Sequence, residues 1–223
     1  MKKIIPVVFA ILALMMLISC EYDNYDEPGS VLEGRFVYND RQVGVKNDLD
    51  VIRLYEEGWQ NMTPIDVSVN HNGIFRAALF DGDYRLALSP GSGPWEDIPD
   101  TLDFRLEGSR VIDIPVQPFF WISNETFEVN GSELTATFDL EKVTTDRELH
   151  SVALFVGNTS LVDEQYNAKD VRINAEDING PDDPVSITID IAGIREDFLY
   201  ARIGVRATGN QQFIFSPAKK IEF

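Results

Sequence analysis

From Val31 onward the chain is written in alternation. Ile65-Asp66-Val67-Ser68-Val69 and Tyr84-Arg85-Leu86-Ala87-Leu88 step between apolar and other residues with period two. Leu134-Thr135-Ala136-Thr137-Phe138-Asp139-Leu140 and Val185-Ser186-Ile187-Thr188-Ile189-Asp190-Ile191 do the same. A strand of this kind buries one face and wets the other, as in a β-sandwich. No long stretch carries a helical stripe, and Ile191 to Phe198 offers at most one short helical turn. The pattern predicts an all-β protein. A break falls near Pro115–Pro118. Val111 to Val116 reads as a closing strand whose proline suits a sheet edge, and Phe119-Phe120-Trp121-Ile122 opens a new one. Two tandem β-sandwich domains are expected, at 31–117 and 118–223. Few alternating residues cross the break, so each half is expected to fold and melt alone.

Composition narrows the function. Lys and Arg number 19 against 37 Asp and Glu, a formal charge of −18, so nucleic-acid backbones are repelled and that partner class is excluded. The single Cys and the two well-separated histidines, His71 and His150, leave no internal disulfide and no Cys/His zinc set. No cofactor and no metal are expected.

The first twenty residues read as a targeting segment. Met1-Lys2-Lys3 is basic, and Ile4 to Ile18 is apolar apart from Pro6. That run is shorter than the roughly 20 residues of a bilayer span but suits a signal-peptide core. Leu17-Ile18-Ser19-Cys20 resembles a bacterial lipobox. The resemblance implies cleavage of residues 1–19 and lipidation of Cys20, giving a chain anchored to a membrane through its N-terminal lipid. Residues 20–30 then form a tether, and its acidic stretch Glu21-Tyr22-Asp23-Asn24-Tyr25-Asp26-Glu27 resembles the export signal of lipoproteins displayed on the outer face of the outer membrane.

In the first domain, Asn70-His71-Asn72-Gly73-Ile74-Phe75 and Gly82-Asp83-Tyr84 resemble the carboxypeptidase-regulatory-like, prealbumin-like sandwich. Asn72-Gly73 and Asp81-Gly82 are expected to make tight turns with positive φ, and Phe75 and Tyr84 to pack as a cross-strand pair. The second domain resembles an immunoglobulin or fibronectin-III sandwich. Leu199 to Arg206 stands for its penultimate strand and Phe213 to Phe223 for its last. Tyr200 has the spacing of a tyrosine corner but faces away from the apolar set Leu199, Ala201, Ile203 and Val205. The whole arrangement is similar to a group of outer-membrane lipoproteins of unknown function that accompany starch-utilisation-type glycan import systems. That resemblance implies an accessory role, such as glycan capture beside a TonB-dependent transporter and its lipoprotein lid.

The chemistry points away from an enzyme. Gly91-Ser92-Gly93 lacks the flanks of a nucleophile elbow, and no phosphate loop is present. His71 in a turn and His150 at a strand start are read as exposed structural residues. The carboxylate pairs Asp81/Asp83, Glu96/Asp97, Glu176/Asp177 and Asp182/Asp183 are what so acidic a chain produces without selection for catalysis. Asp177 to Asp183 carries oxygen ligands that calcium favours, but not at EF-hand spacing, and reads as a solvated turn.

Aromatic residues outside the alternation carry the binding reading. Trp95 lies in the long loop Ser89 to Asp100, flanked by Glu96 and Asp97, and Trp59 follows a second turn. Indoles beside carboxylates suit sugars, because the ring covers C–H faces while the acids accept hydroxyl hydrogens. Trp95, Trp59, Glu96 and Asp97 are therefore the candidate carbohydrate site, with Trp95 held outward, and Trp121 is assigned to packing. The expected function is weak carbohydrate binding by a non-catalytic surface lipoprotein. The alternative is a structural or partner-binding module of an outer-membrane transport or adhesion complex.

Overall fold

The computed structural model describes residues 26–58, 63–178 and 184–223. The protein is all-β. Its first domain comprises β1 (Ser30–Tyr38), β2 (Arg41–Gln42), β3 (Leu49–Glu56), β4 (Ile65–Val69), β5 (Ile74–Leu79), β6 (Gly82–Leu88), β7 (Leu102–Leu106) and β8 (Ser109–Pro115). These form one eight-stranded sheet in which β1 stands beside β5, then β4, β3, β6 and β7 come in turn, while β2 and β8 also pair with β1. The β1–β8 pairing is parallel and ends at Val37 opposite Pro115, where a missing N–H is harmless. Alternation does the folding: on β1, Leu32 and Phe36 are fully buried while Glu33 and Arg35 make ion pairs with Arg76 and Asp113 at the surface.

Two local expectations are corrected. Phe75 and Tyr84 are not partners across strands, because β5 pairs with β1 and β4 whereas β6 pairs with β3 and β7. Phe75 packs near Phe36, and Tyr84 stacks on Phe104 with centroids 5.9 Å apart. Likewise Asp81-Gly82 is no hairpin turn, since β5 and β6 are not paired and Gly82 does not take a positive φ. Gly73 does take a positive φ of 76°, as the β4–β5 turn requires, and the Asn70 carboxamide accepts from Asn72 N and Ile74 N to close it.

The second domain is a sandwich. β9 (Phe120–Asn130), β10 (Glu133–Lys142) and β13 (Val185–Asp190) form one sheet, ordered β13-β10-β9. β11 (Leu149–Gly157), β12 (Lys169–Asn174), β14 (Phe198–Ala207), β15 (Phe213–Phe215) and β16 (Lys219–Glu222) form the other, with β14 central and paired to β11, β15 and β16. Leu199, Ala201, Ile203 and Val205 face the space between the sheets, each essentially inaccessible. The opposite face of β14 is covered too. There Phe155, Phe213 and Phe215 cluster with Val162, and Arg172, Arg202 and Arg206 lie over their rings at 4.3–5.7 Å.

One contiguous hydrophobic core runs through both domains. Phe119, Phe120 and Trp121 at the junction are buried, and Trp121 lies 5.2 Å from the ring of Tyr38 and beneath Arg41. Phe215 N donates to Gly44 O at 3.0 Å, joining the domains by backbone. The centre of the contact is a fully buried Arg202. It donates to Val45 O (3.0 Å) and His71 O (2.6 Å) of the first domain and to Ser216 O (2.8 Å) of its own. Burial lowers its pKa to about 9, against the opposing pull of Asp163 and Glu164, so the guanidinium is charged at neutral pH.

Candidate functional site

Of the expected site residues, Trp95, Glu96 and Asp97 fall within the described residues. Trp95 is 3% exposed, which corrects the outward placement. Its indole lies 4.5 Å from the ring of Phe36, and its backbone bridges to Pro118. The loop that carries it is fastened to the domain junction. Glu96 N donates to Gln117 O, Phe119 N to Pro94 O, and the Asn210 carboxamide to Gly93 O at 2.9 Å. Gly93 is required there, since a Cβ on it would stand 2.2 Å from the indole. Asp97 is exposed but spends a carboxylate oxygen on Gly91 N at 2.6 Å, closing its own turn, and Glu96 is half-buried beside it. Trp59 lies outside the described residues, as do Cys20 and residues 179–183 of the acidic loop.

Other polar groups singled out by sequence are structural. His71 is not exposed: it is half-buried at the domain junction, where burial and then Arg202 hold its imidazole below the usual range. Its Nδ1 is buried without a hydrogen-bond partner. His150 is exposed at the start of β11. Asp81 accepts from the Ser30 hydroxyl and from Gly108 N, and these bonds hold its carboxyl below the ordinary range while they fix the β7–β8 turn. Among the described residues no cluster of His, Cys, Asp and Glu is arranged to hold a metal.

A cavity lies elsewhere, at one end of the second sandwich. A cleft of about 710 Å³ opens between the loop joining β11 to β12 and the loop joining β13 to β14. Asn158, Thr159, Gln165, Tyr166 and Asn167 line one side, and Arg195 and Glu196 the other. Tyr166 is 54% exposed. An exposed ring set among carboxamides and a hydroxyl is the combination that a sugar needs, apolar contact for its C–H faces and paired donors and acceptors for its hydroxyls.

Asp163 builds this loop. It is fully buried and its Oδ1 accepts from Gln165 N (2.8 Å) and Tyr166 N (2.9 Å), an Asx-type turn. Its other oxygen accepts from Asn47 N of the first domain at 3.0 Å. Asn167 Nδ2 donates to Asp163 O, which commits the nitrogen end of that carboxamide to the loop. Lys169, although it lines the cleft, donates to Asp190 O and Ala192 O and so fixes the opposite loop. Glu164 is largely buried beside these groups, and burial pushes its carboxyl above the usual range. Sequence reasoning missed these residues. The signal was the tract Asn158-Thr159-Ser160 through Asp163-Glu164-Gln165-Tyr166-Asn167, polar and turn-forming between two strands and centred on an aromatic.

Comparison with known proteins gives consistent matches along the chain. Residues 30–117 match a family described as protein of unknown function (DUF3823), N-terminal domain, and residues 120–220 match the domain of unknown function DUF3823_C. A Parabacteroides merdae DUF3823 protein of known crystal structure is 32% identical, with 88% of this chain and 100% of that one covered and a TM-score of 0.81. A Bacteroides ovatus member is 28% identical, covering 86% and 98%, with a TM-score of 0.79. A Bacteroides uniformis protein, described as a "putative carbohydrate binding protein", is 21% identical over 88% of this chain and 100% of its own, with a TM-score of 0.71. None of the curated proteins matches the chain.

Proposed function

The chain belongs to the DUF3823 family, whose two domains it carries in order, and on that premise we propose that it is a non-catalytic carbohydrate-binding lipoprotein of a polysaccharide utilisation system. Cys20 carries the lipid that anchors it to the outer membrane, facing outward. It serves there as an accessory to a TonB-dependent transporter and its lipoprotein lid. The observation that carries the binding role is the cleft beside Tyr166. The description of the Bacteroides uniformis relative agrees with it, although at 21% identity that likeness is one of fold.

Binding is a consequence of the lining. The Tyr166 ring covers a sugar face, the carboxamides of Asn158 and Gln165 and the hydroxyl of Thr159 exchange hydrogen bonds with hydroxyls, and Glu196 accepts from another. An aromatic contact of 150–250 Å² at about 25 cal/mol per Å² is worth roughly 4–6 kcal/mol gross. Tyr166 is already partly covered, and desolvation and association entropy subtract further, so about micromolar to millimolar affinity is expected.

A glycan array probed with the protein in detergent tests this reading, followed by affinity electrophoresis on any polymer that binds. Retardation abolished by Tyr166→Ala is the expected result; binding that survives it places the sugar elsewhere. Lipidation has its own test. Cys20→Ala should move the protein out of the detergent phase in a two-phase partition, and unchanged partitioning would show another anchor.

A further inference from the structure

Two charged side chains of the cleft, Arg195 and Glu196, make no ion pair or hydrogen bond among the described residues, and Arg195 is the cation of the two. Every other arginine makes an ion pair, a hydrogen bond or a ring contact. Arg195 makes none of these among the described residues, and it is exposed on the cleft wall across from the Tyr166 loop. In a protein of formal charge −18, acidic partners for an arginine are plentiful, and Glu196 and Asp197 come directly after it in the chain. The other cation of the cleft, Lys169, is spent on backbone carbonyls.

Building on the glycan-binding reading, we propose that the cleft selects an anionic saccharide, one bearing a carboxylate or a sulfate, and that Arg195 is the residue that recognises the anion. A guanidinium presents two parallel N–H donors that match the two oxygens of either group. Tyr166 then takes the sugar ring, and the carboxamides opposite take its hydroxyls. The protein's overall negative charge works against any polyanion at a distance, but that repulsion fades beyond about 8 Å at physiological salt. Only a cation in direct contact can hold such a ligand. This predicts low sensitivity to chain charge density and high sensitivity to one side chain.

The test compares three polymers in affinity electrophoresis with the full chain in non-ionic detergent: polygalacturonate, dextran sulfate and unmodified dextran. Wild-type protein should be retarded by one of the two anionic polymers and not by dextran; which one binds separates carboxylate from sulfate recognition. Arg195→Gln should weaken that retardation about tenfold or more, the loss expected of a charge-assisted pair, while Arg195→Lys should restore part of it. Tyr166→Ala should remove it. Equal melting midpoints for wild type and the Arg195 variants keep the readout a binding effect. If array hits are neutral glycans whose binding Arg195→Gln leaves intact and Tyr166→Ala removes, the anionic assignment falls and the glycan site stands. If neither the array nor any polymer shows binding, both fall. Retardation by an anionic polymer that Arg195→Gln leaves unchanged also overturns the role of Arg195.

Discussion

The 89–101 loop and the 158–168 loop leave strands of the same continuous core, and both carry turn residues and one conspicuous aromatic. The first turns its indole inward against Phe36 and is sewn to the domain junction by Gly93, Pro94, Glu96 and their partners. The second is held from below by Asp163, so Gln165 and Tyr166 stay at the surface, with Tyr166 half uncovered. The difference lies in where the fastening acts. Anchors on both sides of an aromatic draw it down, whereas one buried carboxylate beneath a turn lifts the next few side chains towards solvent. A residue's chemistry therefore says little about exposure until the contacts of its neighbours are known.

The sharpest way to break this comparison is to truncate the buried ring. Trp95→Ala should cost about 3–5 kcal/mol, read as a large fall in melting midpoint, and should leave the cleft's binding affinity unaltered in protein that is still folded. A small change would mean that the loop can lift away. The next effect comes from the carboxylate under the open loop. Asp163→Asn removes an acceptor from Asn47, Gln165 or Tyr166 N–H, and leaving one of these unpaired costs about 1–3 kcal/mol. Unlike Trp95→Ala, it should weaken glycan retardation as well, because the turn that presents Tyr166 loosens. Loss of stability with binding intact would separate the turn from the site.

A smaller effect should appear with pH. The His71 imidazole titrates below its ordinary 6.5 in the folded protein because of burial and Arg202, so the unfolded chain takes up the proton first. Stability should therefore fall as pH drops through 6.5 towards the native value, and recover on returning to neutral. The raised Glu164 carboxyl acts in the opposite sense, since the folded state gains its proton above 4.5. Melting midpoints measured against pH for wild type and His71→Gln should diverge below 6.5, with the variant falling less; parallel curves would remove His71 from the account. The smallest stability effect belongs to Tyr166→Ala, whose midpoint should match wild type while sugar binding disappears.

The strands were legible because their instructions are local. Val185 to Asp190 alternates in sequence and alternates in burial, and no distant residue alters that. The parallel partner of β1 was not legible, because nothing in Val111 to Pro115 says which strand it will join. The burial of Trp95 was hidden for the same reason. Trp95 breaks the alternation, which sequence reasoning took as freedom, but the loop is matched to Pro118 and Asn210, residues that only the finished fold brings near. Arg202 shows it most plainly. It sits on the face of β14 that the pattern marks as outward, and the first domain covers it.

Asp163 has a consequence for heredity as well as for shape. One of its oxygens holds the backbone of the first domain and the other holds the turn that bears Tyr166. A lineage that inherited the second sandwich alone, or recombined it with a foreign partner, would receive the ligand-facing side chains without the amide that keeps their support in place. The two halves are thereby a single unit of inheritance. Grafting the cleft onto another protein would have to carry Lys46-Asn47 of the first domain along with it.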